Sequence, residues 1–256
     1  MGIINVTPDS FFEDSRQQNI KEVVSKAEQM LHDGATIIDI GGQTTKPGSE
    51  AIGASEEMKR VIPVIKALVQ TFPGIYISID TYHAIVAKAA VEAGACMVND
   101  ISGGMMDTEM LITVASLNVP YICMHMQGTP QTMQVNPTYE NVTKEVLDFF
   151  IERMAACRQA GIKDVIVDVG FGFGKTIAHN FQLLKEMAVF KMLDAPILAG
   201  LSRKSTVYKT LGISAKEALN GTTVLNTIAL QNGADILRVH DVKEAKEAIV
   251  LVGKLG

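Results

Sequence analysis

The chain has 256 residues, of which 47% are hydrophobic and 20% charged, and its formal net charge is -5. These proportions support one large core, and the lack of a basic excess argues against a nucleic-acid-binding surface. No apolar run reaches the roughly 18 residues of a membrane span, and no signal peptide is visible. We therefore expect a single domain over residues 1–256, located in the cytoplasm. Its three cysteines have no metal-like spacing and are expected to be buried free thiols: Cys96, Cys123 and Cys157.

Eight short apolar segments recur along the chain and predict strands: residues 2–4, 36–40, 75–79, 96–98, 121–124, 165–167, 197–200 and 236–237. Between them the apolar spacing predicts helices at residues 20–31, 84–93, 139–160, 216–231 and 242–252. A further helix is predicted to begin at Ser55, which would be its N-terminal cap. Glycine–alanine pairs at positions 34, 94 and 233 are typical of compact turns in which the glycine is left-handed. Strands that alternate with helices predict a parallel sheet with right-handed crossovers. Eight such units favour a closed (β/α)8 barrel over an open doubly wound sheet.

Polar residues follow the predicted strands directly, at the ends where α/β enzymes place their sites. Asp80, Asn99, Asp168 and Lys204 would meet there. A carboxylate can accept two hydrogen bonds from a ring N–H and an exocyclic amine, and an ammonium can donate to a carbonyl or ring nitrogen. The set predicts a site for a heterocycle, although each residue taken singly is equally compatible with a salt bridge inside a barrel.

A glycine-rich segment, Gly170 to Lys175, follows Asp168. It is not a phosphate-binding P-loop, because Val169 occupies a position that needs glycine, and its alternating glycines do not fit the dinucleotide pattern. We expect a flexible loop that lets the backbone approach a flat ligand, with Asp168 as the acceptor. The alternative is an ordinary turn with a surface carboxylate.

Arg238 and His240 are two residues apart at the end of the last strand, which predicts that they face the same side. Asp241 then begins the last helix, whose free N–H groups add positive potential. A diphosphate is the natural ligand for such a site. The alternative is that Arg238 pairs with Asp235 or Asp241.

Two further histidines adjoin the predicted site, but neither has a carboxylate or a second histidine at metal-ligand spacing. We expect His125 to be a packing residue at the barrel rim. His179 adjoins the glycine-rich segment and is placed to cap the next helix. No Ser-His-Asp arrangement is apparent from the spacing.

Eight motifs follow one another along the chain: GIINVTPDSF (2–11), DIGGQTTKPG (39–48), SIDT (78–81), VNDISGG (98–104), MHMQG (124–128), DVGFGFGK (168–175), SRKS (202–205) and LRVHD (237–241). In this order they resemble the dihydropteroate synthase family over essentially the whole chain. The resemblance implies a (β/α)8 transferase that joins 6-hydroxymethyl-7,8-dihydropterin diphosphate to p-aminobenzoate. The products would be 7,8-dihydropteroate and diphosphate, in a step of folate biosynthesis that sulfonamides inhibit.

The resemblance also implies the roles of individual residues. The pterin pocket would be Asp80, Asn99, Asp168 and Lys204, and the catalytic set Asp80, Asp168, Lys204 and Arg238. The diphosphate site would be Asn5, Thr45, Arg238 and His240, with Mg2+ bound at Asn5. The p-aminobenzoate site would be Phe11, Thr45, Lys46, Pro47, Phe173 and Ser205. Such enzymes are usually homodimers with small-molecule substrates.

The sequence departs from the family pattern at three places. Lys46 stands where many relatives carry arginine, Val169 replaces a usual proline, and residues 12–15 replace a segment that usually has a glycine pair. The chain begins at the first motif, so we expect a first strand that is clipped at its N-terminus. Residues 8–18 and 43–53 are expected to be mobile loops that close over the site. A pterin-binding methyltransferase domain and a catalytically silent pterin-binding barrel remain as alternatives.

Overall fold

The computed structural model of the chain describes residues 1–6, 16–43 and 51–255, and only the backbone of residues 16–18. Eight parallel strands pair consecutively: β1 Gly2–Asn5, β2 Ile37–Gly41, β3 Tyr76–Asp80, β4 Met97–Asp100, β5 Tyr121–Met124, β6 Val165–Asp168, β7 Ile197–Ala199 and β8 Ile236–Leu237. A bridge between Gly2 and Val239 joins the first strand to the end of the last, and the Ile3 amide donates to the Val239 carbonyl at 2.9 Å. The sheet therefore closes into the predicted barrel.

Helices connect the strands: α1 Arg16–His32, α2 Ala54–Thr71, α3 Ala84–Glu92, α4 Met110–Leu117, α5 Val142–Ala160, α6 Ile177–Lys185, α7 Ser205–Leu211, α8 Leu219–Gln231 and α9 Val242–Val252. Two 3-10 helices, Met187–Leu193 and Ala215–Glu217, lie beside them. The connection from β7 to β8 thus carries both α7 and α8. None of the described helices is long and apolar enough to cross a bilayer.

The eight predicted strands are confirmed, whereas the sequence missed three helices. These are α4, α6 and α7, which have eight, nine and seven residues. So short a segment gives little periodicity to read, and α4 is apolar on most sides. The predicted cap of α2 is also wrong, because the extended residue before that helix is Gly53 and not Ser55.

The inside of the barrel changes from apolar to polar along the strands. The part of the interior nearer the N-terminal ends of the strands, which we call the floor, is filled by Ile122, Ile166 and Leu198, packed against Met97 and Ile236. Successive inward side chains on a strand are two residues apart. The next inward positions on β4, β6 and β8 are therefore those of Asn99, Asp168 and Arg238. The alternation alone places these polar groups one layer above an apolar floor.

Three glycines that follow helices adopt the left-handed conformation that the sequence predicts. Their φ angles are 100° at Gly34, 115° at Gly94 and 97° at Gly233. A residue with a Cβ is strained in this region, and glycine avoids that strain at the ends of these helices.

The cysteines are free thiols, as expected. Cys123 and Cys157 are buried, whereas Cys96 is only half-buried, so the expectation of burial is wrong for Cys96.

Candidate active site

One guanidinium joins two carboxylates inside the carboxyl end of the barrel. Arg238 follows β8 and donates from Nε to Asp39 Oδ2 at 2.7 Å and from Nη2 to Asp80 Oδ2 at 2.6 Å. Asn99 Nδ2 donates to the same Asp39 oxygen at 3.3 Å. The other oxygen of Asp39 is buried without a hydrogen-bond partner among the described residues. The ends of β2, β3, β4 and β8 are thus tied into one charged cluster.

Burial and neighbouring charges set the protonation of this cluster. Burial raises the pKa of Asp80 to about 7, with Arg238 opposing that rise and nearby carboxylates adding to it. Burial also disfavours the charge on Arg238, but Asp39 and Asp80 outweigh it, so the pKa of Arg238 is raised and the guanidinium stays charged. Asp80 therefore binds a proton more readily than an exposed aspartate, although a cation lies beside it.

A second pair of opposite charges lies at the ends of β6 and β7. Asp168 accepts a hydrogen bond from the Gly170 amide at 2.8 Å, and Lys204 donates to the Phe171 carbonyl at 2.5 Å. The Lys204 ammonium lies 4.7 Å from the centroid of the Phe173 ring. Burial raises the pKa of Asp168, which the Lys204 cation opposes. Burial lowers the pKa of Lys204 to about 8, which Asp168 opposes.

The histidine after β8 is held as a neutral ring. Ser202 Oγ accepts from the His240 backbone amide at 3.1 Å and lies 3.0 Å from His240 Nδ1. A hydroxyl oxygen can accept two hydrogen bonds and donate one, so both ring tautomers can make this contact; in the tautomer with the ring proton on Nε2, Ser202 donates to Nδ1. Burial and then Arg238 lower the pKa of His240 to about 4.

Asp235 and Asp241, the two nearby acids that the sequence suggested as partners of Arg238, bind other groups. Asp241 forms a two-pronged pair with Arg203, with both N–O distances at 2.8 Å. Asp235 accepts a hydrogen bond from the Ile197 amide at 2.9 Å. The alternative of a purely local pair for Arg238 is therefore wrong. The Arg203–Asp241 pair instead joins the loops after β7 and β8.

The glycines of the segment after β6 serve mainly to pack two loops together. A Cβ on Gly170 would lie 1.9 Å from the His125 carbonyl oxygen, and one on Gly174 would lie 2.5 Å from that of Gln127. Of the glycines in this segment, only Gly172 faces Lys204: a Cβ on Gly172 would lie 3.3 Å from Lys204 Cδ. At these two glycines the close approach that the structure shows is to the loop after β5. The surface-carboxylate alternative is wrong too, because Asp168 is only 5% exposed.

The remaining histidine expectations are confirmed. His125 is buried with its ring edge-on to Phe149, and burial lowers its pKa to about 2. His179 forms a reciprocal capping box with Thr176 at the start of α6. Within the described parts of the chain, no three His, Cys, Asp or Glu side chains form a metal-binding group.

Comparison with known proteins agrees with this arrangement. The family described as "Pterin binding enzyme" matches residues 1–240. Dihydropteroate synthase from Escherichia coli K12 is 43% identical over 254 residues, which cover 98% of this chain and 89% of that protein. The chain belongs to the dihydropteroate synthase family of transferases. The Streptococcus pyogenes dihydropteroate synthase is 41% identical, covering 100% of this chain and 94% of its own.

Solved structures of dihydropteroate synthases share the fold. The Yersinia pestis enzyme with a sulfonamide drug complex has a TM-score of 0.93 and 40% identity, covering 100% of this chain and 93% of its own. The Xanthomonas albilineans enzyme with 4-aminobenzoic acid has a TM-score of 0.92 and 39% identity, covering 100% and 92%. The same species' enzyme in complex with 7,8-dihydropteroate has a TM-score of 0.87 and 37% identity, also covering 100% and 92%.

The structure brings several of the residues implied by the dihydropteroate synthase resemblance to the carboxyl end of the barrel. They are Asn5, Asp80, Asn99, Asp168, Phe173, Lys204, Ser205, Arg238 and His240. The other four implied residues lie outside the described part of the chain: Phe11, Thr45, Lys46 and Pro47. Most of the two expected loops also lies outside it, although α1 already begins at Arg16.

Two buried charged residues beside this site were not identified from the sequence, Asp39 and Lys175. Asp39 is a lone charge in an isoleucine-rich strand, and a fully buried charge requires a partner. That signal was available and pointed to a site residue. Lys175 closes the glycine-rich motif, and its burial depends on loop packing that no local pattern reveals.

Proposed function

We propose that this chain condenses 6-hydroxymethyl-7,8-dihydropterin diphosphate with p-aminobenzoate to give 7,8-dihydropteroate and diphosphate. The observation that carries the proposal is the gathering of two carboxylates and two cations in one barrel mouth: Asp80 forms an ion pair with Arg238, and Asp168 and Lys204 stabilise each other's charge. Membership of the dihydropteroate synthase family supports it.

The pterin ring would bind between Asp168, Asn99 and Lys204. The Lys204 cation and the Gly170 N–H both favour the charged form of Asp168 against its burial. A charged carboxylate accepts hydrogen bonds from a ring N–H and an exocyclic amine, while Lys204 donates to a ring carbonyl or nitrogen. The apolar floor below excludes water from the lower face of this pocket.

The reaction needs charge stabilisation more than covalent help. The bond between the pterin methylene and the diphosphate oxygen breaks, and its electron pair leaves with the diphosphate. The electron-rich dihydropterin bears the positive charge, which Asp80 and Asp168 stabilise. Arg238 and the Nε2–H of His240 would face the leaving diphosphate, together with Thr45. The aniline nitrogen then attacks the methylene carbon and loses its proton, so the main task of the protein is positioning.

A magnesium ion fits this site only together with the diphosphate. No protein cluster of three acidic, histidine or cysteine ligands exists within the described residues. The Asn5 amide oxygen lies 3.3 Å from where a Cβ on Gly41 would be, so the glycine leaves space beside it. Mg2+ commonly keeps several waters and binds through few protein oxygens plus substrate phosphates. Asn5 and the diphosphate would hold the ion, which would supply charge neutralisation to the leaving group.

The p-aminobenzoate would bind beside Lys204, near Phe173 and Ser205. The Phe173 ring lies under the Lys204 ammonium, and Ser205 is the next residue along the chain. In this proposal the second substrate would lie next to the pterin. The same subsite would include Phe11, Thr45, Lys46 and Pro47.

The deciding experiment measures diphosphate release from the dihydropterin substrate and Mg2+, with and without p-aminobenzoate. Release that requires p-aminobenzoate, matched by dihydropteroate formation, is expected. Asp168→Asn should lose this activity, whereas Lys144→Met, at an exposed pair on α5, should keep it. Pterin binding without p-aminobenzoate binding would indicate a methyltransferase-like domain. Binding of both without release would indicate a silent barrel.

We also propose a cytoplasmic homodimer. The neighbouring helices α6, α7 and α8 expose large apolar side chains that would form the interface between the two copies: Ile177, Phe181, Leu211 and Val224. Free buried thiols fit a reducing compartment. Light scattering coupled to size exclusion should give twice the 27.6 kDa chain mass, and a monomeric mass would contradict the dimer.

A further inference from the structure

Lys175, at the end of the glycine-rich segment, is a buried cation with a complete set of acceptors. Its Nζ lies 3.0 Å from the Gly170 and Phe173 carbonyls and 2.8 Å from His125 Nδ1. The His125 carbonyl lies slightly further away, at 3.3 Å. An ammonium has three N–H donors, so each can be directed to one of the three nearer acceptors.

These contacts tie two loops of the barrel mouth together. Gly170 and Phe173 belong to the loop after β6, and His125 to the loop after β5. The same β6 loop supplies the Phe171 carbonyl and the Phe173 ring that hold the Lys204 ammonium. Lys175 therefore fixes the surface on which Lys204 rests.

We propose that Lys175 is a positioning residue for the pterin pocket, which holds the loop after β6 against the loop after β5 so that Lys204 and Asp168 face the pterin. The inference rests on the proposed function, because it assigns Lys175 to the binding of that substrate. Lys175 itself is only 3% exposed and lies behind the loop. It therefore acts through Lys204 and Asp168.

Electrostatics add an effect that a purely structural clamp would lack. The charged or titratable groups around Lys175 are His125 on the β5 loop, His179 on α6, Asp168 at the end of β6 and Lys204 after β7. Burial lowers the pKa of Lys175 to about 7, with Asp168 raising it and Lys204 lowering it further. Lys204, Arg238 and then Lys175 favour the charged form of Asp168. Loss of the Lys175 cation should therefore raise the pKa of Asp168.

The test compares Lys175→Met, which keeps the apolar stem, with two variants that each remove one other contact to the same loop. Tyr139→Phe removes a hydrogen bond to the Gly174 carbonyl and Gln134→Ala one to the Gly172 carbonyl, both of 2.8 Å. Calorimetry would measure the binding of 6-hydroxymethyl-7,8-dihydropterin, without diphosphate, from about pH 5 to about pH 9.

Lys175→Met should weaken binding at least about tenfold, or about 1.4 kcal/mol. It should also move the acidic limb of the binding profile to higher pH, because Asp168 then protonates more easily. The two control variants should keep both the affinity, within about threefold, and the position of that limb. Unchanged affinity, or an equal loss at every pH, would overturn the inference.

Circular dichroism would establish that Lys175→Met folds. If it does not fold, His125→Phe replaces it, because this variant keeps an aromatic ring against Phe149 and removes the Nδ1 acceptor. Weaker pterin binding by His125→Phe is expected, and unchanged binding would overturn the clamp. Absence of pterin binding by the unaltered chain would refute the proposed function itself. Equal binding by the parent and the Lys175 variant refutes only the present inference.

Discussion

Replacing Arg238 by methionine removes the guanidinium that joins two buried carboxylates and neutralises their charge. Arg238 Nη2 lies 2.6 Å from oxygens of both Asp39 and Asp80, whose side chains are 0% and 10% exposed. The variant keeps most of the apolar stem but leaves both acids without their cation. Removing one partner of a buried ion pair typically costs about 3–5 kcal/mol. We expect the free energy of unfolding to fall by an amount in this range near neutral pH.

The loss should depend on pH in a defined direction. The pKa of Asp80 is raised from 3.8 to about 7 in the folded chain, so the folded state binds more protons than the unfolded state between these values. Stability therefore falls as the pH rises through this window and levels off above it. Without Arg238 the pKa of Asp80 rises further, because Arg238 opposes that rise. The variant should thus lose more stability near about pH 8 than near about pH 5.

Urea unfolding of the parent and Arg238→Met at both pH values measures this difference. The double variant Asp39→Leu/Arg238→Met removes the buried pair together and should recover part of the loss, because no unpaired Asp39 remains. Arg203→Met breaks the more exposed pair with Asp241 and serves as the control, with a smaller cost. Equal losses for Arg238→Met at the two pH values, or none, would refute the electrostatic reasoning.

Three further predictions concern the same barrel mouth. The pterin affinity of the parent should fall as the pH rises above about 8, the pKa of Lys204, because the neutral amine attracts Asp168 and ligand acceptors less. In calorimetry Lys204→Met should bind the pterin at least about tenfold more weakly and should lose this decrease at high pH. A parent affinity that does not change with pH would contradict the assignment. Tyr121→Phe removes a 2.8 Å hydrogen bond to buried Asp100 and should lower the free energy of unfolding by about 1.5–3 kcal/mol without changing pterin affinity. An altered pterin affinity would show that the role of Asp100 is not purely structural. Gly170→Ala should lower both thermal stability and pterin affinity, because its Cβ would lie 1.9 Å from the His125 carbonyl oxygen. The control Gly212→Ala, with a similar φ of 67° and open space around its Cβ, should show only the backbone strain of about 1–3 kcal/mol. Equal effects of the two substitutions would exclude the clash as the cause.

The strands were predictable because each is a short apolar run that ends at a polar residue. Once eight of them were recognised, the parallel topology placed Asp80, Asn99 and Asp168 at one end of the barrel. Which acid lies near which base was predictable only where the two residues follow neighbouring strands. Asp168 and Lys204 belong to neighbouring strands, and their proximity follows from the strand order.

Other features depend on contacts that sequence spacing does not encode. Gly170 and Gly174 looked like ligand-facing glycines, but they are needed because the loop after β5 passes so close to them. Lys175 becomes important only once that contact exists, since its acceptors include His125, 50 residues earlier in the chain. Local signals thus identified the glycine-rich segment but not the surface against which it packs.

The partners of Arg238 show how closure of the barrel determines the chemistry of the site. Two acids close to it in sequence, Asp235 and Asp241, are engaged by the Ile197 amide and by Arg203. Its actual partners, Asp39 and Asp80, are 199 and 158 residues away along the chain. They become neighbours because the bridge between Gly2 and Val239 brings β8 beside β1, next to β2 and β3. β8 has only two residues, so this ion pair and the bridge support each other. A change that weakens barrel closure should therefore disturb the charge of the site, even when no site residue is altered.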